Sequence, residues 1–428
     1  MSEFKTLRGM RDLLPVDARM MVYVQEKARE TARLYGYKEI ITPVVESYEL
    51  LSAKAGDEVR SRMFKFKDLG GRDVALRPEF TASVARLAVT SLMREPKPFR
   101  IFNMGSAYRY DEPQRGRYRE FWQSDFELIG SSRPEADAEI IMLTDSLFQK
   151  IGLRKFSLKI SHVGIIRGIL TKEKVTEKYQ NAAMQLMDKK QYDDALKIIE
   201  NAGASQKCLK IIRDLVECKG KDITAVLDST RAIVKDYNDS IVAVENLRTI
   251  LDLVNRAGYK IDLTIDSGFA RGLEYYTGMI VEIFADGLDI ALGGGGRYDK
   301  LIELFGGDPT PAVGIAHGID RITLAMEIQK TELRIEEGPT ILVLSVNDDL
   351  KIEALKLARV LREAGFSVEV ETMGRKMTKA LEDADKRKIS YVIIMGEREF
   401  REGSVVLRNL SKREQRTVKI NGVVEELC

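Results

Sequence analysis

Tyr108-Arg109-Tyr110-Asp111-Glu112-Pro113-Gln114-Arg115-Gly116-Arg117-Tyr118-Arg119-Glu120-Phe121-Trp122-Gln123 is the most informative run in the 428-residue chain. Its polar centre, punctuated by Pro113 and Gly116, separates two segments rich in aromatic and β-favouring residues, 100–109 and 119–129. The pattern predicts a long antiparallel hairpin. Arg109, Arg115, Arg117 and Arg119 fall within eleven residues of it. Each guanidinium offers a planar fork of donors that suits polyphosphate or carboxylate. A solvated charged loop has the same composition, and arginine density alone leaves both readings open.

Upstream of the hairpin, Met20, Val24, Ala28 and Ala32 recur at helical spacing and predict a helix over 15–34. Residues 38–45 read as one strand, which Pro43 places at an edge or bends. A short strand from Val74 ends at the Arg77-Pro78 step, and Thr81 opens a helix. Glu79 and Thr81 therefore sit at an element end. Downstream, Pro134 starts a helix that runs to about Lys150. Over 171–257 helix formers dominate and strand patterns vanish, which marks a helical insertion.

Strands resume at 261–266 and 275–284, followed by Ile290-Ala291-Leu292, the glycines 293–296 and a helix led by Tyr298. Residues 312–317 read as a strand feeding a helix that holds Arg321, and 330–339 as a polar linker. Beyond it, short apolar strands alternate with helices and then give way to two strands in succession. That is a parallel α/β domain closed by an antiparallel pair.

A chain of 428 residues exceeds what one core organises, so two or three domains are expected. With 44% apolar and 31% charged residues the composition is that of a soluble globular protein without long disordered tracts. No stretch approaches a membrane span. Glu3, Lys5, Arg8, Arg11 and Asp12 occupy the place where a signal peptide would be apolar, so a cytoplasmic location is expected. Cys208, Cys218 and Cys428 lack CxxC spacing and cannot pair evenly, which fits a reducing compartment. His162 and His317 are too few for a His-rich metal site, so no protein metal site is expected and any metal should arrive with a substrate. A net charge of +2 excludes no nucleic-acid partner, because basic surface can be local.

The hairpin run resembles motif 2 of class II aminoacyl-tRNA synthetases, in the form carried by histidyl-tRNA synthetases. Arg271-Gly272-Leu273-Glu274-Tyr275-Tyr276-Thr277-Gly278 resembles the same family's histidine signature, and Gly314-Ile315-Ala316-His317-Gly318-Ile319-Asp320-Arg321 resembles motif 3. Residues 15–43 resemble motif 1, the family's dimer-interface element, so a homodimer is implied. The matches run in family order over nearly the whole chain. The fold implied is α/β: an α+β catalytic domain (1–328) with an antiparallel sheet flanked by helices, the helical insertion (171–257) within it, and a C-terminal α/β anticodon-binding domain (339–428). The insertion occupies the place where the family carries a domain that contacts the tRNA acceptor stem.

The activity implied is histidine–tRNA ligation: histidine and ATP give histidyl-adenylate and pyrophosphate, and histidine passes to the 3′ end of tRNA(His). Mg2+ accompanies ATP. By the same resemblance Glu79, Thr81 and Gln123 hold the α-ammonium, Glu127 and Tyr276 read the imidazole, and Tyr275 joins them in the histidine site. Arg109 takes the α-phosphate, and Arg117 and Arg321 the nucleotide end. Arg271 meets the reacting carboxylate and α-phosphate from the opposite side. Gly293, Gly294 and Gly295 match no phosphate-loop pattern and are read as the floor of the histidine and adenylate pocket, where missing Cβ atoms permit close approach.

Two rivals stand beside this reading. One is a non-catalytic histidyl-synthetase-like regulator or sensor; such relatives usually lose the motif arginines, the signature or the anticodon domain, all present here. The other is a synthetase for another amino acid, against which Glu127 and the Tyr275-Tyr276 pair argue. Lys376-Met377-Thr378-Lys379 resembles the lysine loop of class I synthetases, but the partner His-Gly motif of that class is missing, and the run reads as the start of a surface helix. Residues 339–428 carry 17 Lys and Arg against 15 Asp and Glu, so anticodon reading there would rest on hydrogen bonds and stacking more than on bulk charge. Arg375, Lys376, Lys379, Lys386, Arg387 and Lys388 are candidate phosphate contacts or simply a solvated helix face.

Overall fold

Pro15 supplies a preset φ and Asp17 an acid in the first turn, and the helix Pro15–Leu34 that they start buries Met21, Val24, Ala28 and Ala32 on one stripe. It ends as the chain turns through Gly36 at φ 76°. The computed structural model describes residues 4–53, 55–271, 274–333 and 340–427. The chain divides into two compact units, Met1–Leu333 and Arg334–Cys428.

In the first unit the hairpin forms as Phe99–Tyr108 and Glu120–Ile129, antiparallel, with Tyr108 opposite Glu120 and Phe99 opposite Ile129. Glu120–Ile129 then pairs with Ala312–Gly318, followed across the sheet by Gly293–Arg297, Met279–Ala285 and Phe156–His162, all antiparallel. Lys38–Ile40 at one edge and Leu263–Asp266 toward the other add the parallel pairings of this nine-stranded sheet. The helices Pro15–Leu34, Pro134–Ile151 and Ile319–Ile328 cover it and close the main core around Phe102, Phe126, Phe148 and Ile315. His317 lies in that core, its Nε2 3.1 Å from Thr144 Oγ1. Burial drops its pKa to about 3, so the imidazole is neutral and packs as a core residue.

Three readings need correction. The strand expected over 38–45 is two strands in different sheets: Lys38–Ile40 joins the large sheet, and Val45–Ser47 pairs with Asp73–Leu76 in a three-stranded one. Pro43 lies in the gap, where it has no N–H to give a ladder, and the Thr42 carbonyl accepts from Arg77 Nη1 at 2.8 Å instead. The strand expected from Tyr275 begins at Met279. Tyr275 and Tyr276 precede it, outside the ladder, and their rings pack with centroids 4.8 Å apart at the cleft. Tyr298 does not lead a helix; its N–H donates to Ala312 O at 2.7 Å, and a short helix follows at Leu301–Leu304.

The helical segment begins earlier than expected, at Val163, where the His162 ring accepts the Gly164 N–H at 3.0 Å. It runs through six helices to Arg256, interrupted by the two-residue strand Lys219–Gly220 at the sheet edge. The linker read over 330–339 falls partly on 334–339, outside the described residues. In the second unit the strands lie in the order Ser367–Val370, Thr340–Ser345, Tyr391–Met395, Ser404–Asn409, Glu414–Lys419. The first three are parallel and the last two antiparallel additions. Lys376 is the cap of the helix Met377–Lys386. No helix among the described residues is long and apolar enough to cross a membrane.

Candidate active site

One face of the large sheet forms the floor of a cleft. Alternation along Glu120–Ile129 presents Phe121, Gln123, Asp125 and Glu127 on that face. Glu127 is fully buried. Thr81 Oγ1 donates to its Oε1 at 3.0 Å and Tyr298 OH to its Oε2 at 2.5 Å. Burial pushes its pKa up to about 8 in spite of those two donors. Gly314 stands directly opposite Glu127 in the sheet, and a Cβ there would run into the Glu127 carboxyl. The missing side chain is what gives the carboxylate room.

Around this end stand Thr81, Gln123, Tyr275 and Tyr276. The Gln123 Oε1 atom is buried and has no hydrogen-bond partner among the described residues, so it is a ready acceptor. The two tyrosine rings pack with centroids 4.8 Å apart. Glu79 lines the cleft while accepting from Thr81 N at 2.8 Å and Ala82 N at 3.1 Å, which caps the helix Thr81–Thr90. Each carboxylate oxygen keeps a further lone pair for a ligand.

The other end is cationic. Arg109 Nε donates to Pro78 O at 2.9 Å, and burial lowers its pKa. Arg321 donates to Gly116 O at 3.1 Å and to Ala291 O at 2.7 Å. Burial, with Arg109 and Arg117 nearby, brings its pKa down to about 10. Arg117 has Asp111 Oδ2 3.5 Å from its Nε, and that Nε makes no hydrogen bond among the described residues. Three like charges gathered in one cleft repel, and a polyanion relieves the repulsion. Of the other hairpin arginines, Arg115 is exposed and Arg119 is structural, its Nε bonded to Asp111 O and its guanidinium over the Tyr110 ring. Arg109 and Arg117 thus line the cleft, whereas Arg115 and Arg119 do not.

Arg271 also lines the cleft, its Nη1 3.1 Å from Val281 O and 3.6 Å from Glu282. Gly272 and Leu273 of the signature lie outside the described residues. Gly293, Gly294 and Gly295 line the floor as a strand, and the space they leave is used by the protein itself. Cβ atoms on Gly293 and Gly295 would strike the Ala316 and Gly314 carbonyls, and one on Gly294 would strike the Arg271 guanidinium.

Two residues were missed by sequence reasoning. Tyr298 is fixed to Glu127, 171 positions away, and no local pattern announces that contact. Asp125 sits between Gln123 and Glu127 on the cleft face, buried, with Oδ1 unpartnered among the described residues; burial and then Glu127 and Glu79 hold its pKa well above the carboxylate range. Its signal was the alternation Gln123, Asp125, Glu127.

A family model for histidyl-tRNA synthetase matches residues 9–322, and one for an anticodon binding domain matches residues 340–428. A histidine–tRNA ligase of Methanocaldococcus jannaschii is 42% identical over 420 residues, 98% of this chain and 98% of that one. Its counterpart in Saccharolobus solfataricus is 36% identical over 431 residues, 100% of this chain and 99% of that one. In fold, the crystal structure of a histidyl-tRNA synthetase from Nostoc sp. PCC 7120 matches with a TM-score of 0.80 at 24% identity, covering 100% of this chain and 99% of that one. With the cleft described above and a family match over most of its length, the chain belongs to the histidyl-tRNA synthetase family.

Proposed function

We propose that the chain is a histidine–tRNA ligase that activates histidine with ATP and passes it to the 3′ end of tRNA(His). The observation that carries this reading is one cleft with a buried hydrogen-bonding carboxyl at one end, Glu127, and three mutually repelling arginines at the other. Free histidine brings an imidazole, an ammonium and a carboxylate, and ATP brings the polyanion.

Glu127 and Tyr276 answer the imidazole, with Tyr275 beside them, and Gln123, Glu79 and Thr81 answer the ammonium. The histidine carboxylate oxygen attacks the α-phosphorus as the bond to the pyrophosphate oxygen breaks. Charge grows on the phosphate oxygens, and Arg109 and Arg271 stabilise it from opposite sides. Arg117 and Arg321 hold the nucleotide end, over a floor of Gly293, Gly294 and Gly295. Mg2+ enters with ATP as part of that substrate. A terminal hydroxyl of the tRNA then attacks the adenylate carbonyl and AMP leaves.

The second unit serves to bind the anticodon, and the helical insertion the acceptor stem. A homodimer through the N-terminal face fits the apolar side chains exposed there, among them Ile41, Val45, Phe66 and Leu69. Such an enzyme works in the cytoplasm, where tRNA is charged. A regulator without catalysis has no use for the complete set of cleft cations. The reading is tested by charging: labelled histidine should accumulate on a tRNA(His) transcript in an ATP-dependent way, and a transcript left uncharged by intact protein would overturn it.

A further inference from the structure

Helix Glu177–Asp188 of the insertion ends beside the short helix Gly56–Ser61, which in turn lies against the hairpin loop. Lys189 Nζ is 3.0 Å from Glu58 Oε2, and Arg62 Nη1 is 3.0 Å from Glu58 Oε1. The same Arg62 Nη1 donates to Asp111 Oδ1 at 3.0 Å, and Asp111 Oδ2 is 3.5 Å from Arg117 Nε. Four successive ion pairs thus connect the insertion to a cleft arginine. Asp111 is buried and firmly placed: its carbonyl accepts from Arg119 Nε at 3.1 Å, and Tyr110 N–H donates to Arg62 O at 2.7 Å. A second strap runs alongside, since Asn181 and Gln185 donate to Glu274 at 3.4 and 3.2 Å, and Arg60 lies 3.9 Å from the same carboxylate. Glu274 adjoins Tyr275 of the cleft.

We infer that the insertion sets the position of Arg117 through the relay Lys189–Glu58–Arg62–Asp111, in which Asp111 is the positioning residue for Arg117. Arg117 has no other carboxylate within ion-pair distance among the described residues, so its placement depends on Asp111. Asp111 shares its second oxygen with Arg62, and Arg62 is steadied by Glu58. Glu58 feels both ends of the relay. Partial burial tends to raise its pKa, but Lys189, Arg62 and Arg117 outweigh that and hold the carboxyl below its ordinary value. A partner that moves the insertion, such as RNA lodged against it, would therefore reach the nucleotide end through this relay.

The inference rests on the reading of Arg117 as an ATP contact. Its test is histidine-dependent ATP–pyrophosphate exchange by the full chain, with separate KM values for ATP and histidine. Lys189→Ala and Glu58→Gln should each raise the KM for ATP about threefold, the scale of a partly exposed ion pair, and leave the KM for histidine unchanged. Lys189→Arg should behave as wild type. The double variant Lys189→Ala/Glu58→Gln should be no worse than Glu58→Gln alone, because coupled residues do not add. Asp111→Asn should raise the KM for ATP further, by about tenfold. An unchanged KM for ATP in Lys189→Ala, or a double variant showing the product of the two single effects, would overturn the relay. Absence of exchange in the wild type would instead overturn the proposed function.

Discussion

At the scale of single residues, Glu127 carries the sharpest consequence. Burial pushes its carboxyl pKa up to about 8 in the fold, whereas in the unfolded chain it ionises in the ordinary range at about 4.3. Between those values the folded protein keeps a proton that the unfolded chain has lost, so the contribution of Glu127 to stability falls as pH rises across that window. Glu127→Gln should remove this slope: urea melts at about pH 5 and about pH 8 should converge in the variant relative to wild type. The same substitution should weaken histidine binding by about 100-fold, read by calorimetry, because the amide puts an NH2 group where the carboxyl offers an oxygen that can accept or, protonated, donate. Arg271→Ala should lower exchange by about a thousandfold while histidine affinity changes little. A variant near the wild-type rate would remove Arg271 from the chemistry. Thr81, Gln123, Glu127 and the arginines Arg109, Arg117, Arg271 and Arg321 were named from the family resemblance, and the fold gathers them in one cleft. Tyr298 was not, since its contact with Glu127 is made by the sheet and not by the local chain.

At the scale of elements, the helices and the hairpin were readable because periodicity and start signals act within a few residues. Pro15 and Pro134 each open a helix that ends within a residue of expectation. The failures fall where tertiary partners decide. Residues 38–47 split because two sheets compete for them across Pro43, and Tyr275-Tyr276 stay outside the strand because its ladder with Phe156–His162 begins only at Met279, opposite His162. Glycines 293–296 line the cleft, and they do so as a strand whose Cβ-free faces also admit the Gly314 and Ala316 carbonyls and Arg271. Gly295→Ala should therefore strain a backbone contact that cannot yield, costing about 1–3 kcal/mol and lowering the thermal midpoint. Unchanged melting would show that the strand pair has slack at this point.

At the scale of the whole molecule, the two units have separate cores, one around Phe102 and Phe126, the other around Ile341, Val343, Leu361 and Ile393. The change of pattern near residue 330 announced that division, whereas charge balance gave no sign of an RNA partner. A chain ending before residue 334 should keep histidine-dependent exchange, since the described cleft residues all precede that point. It should lose tRNA charging by about 100-fold, the scale of losing base stacking at an anticodon. The central claim, a cleft built for histidine and ATP, is tested most directly by ATP–pyrophosphate exchange with each of the twenty amino acids in turn. Histidine alone should stimulate exchange; equal stimulation by threonine or proline, or none by any amino acid with intact protein, would contradict it.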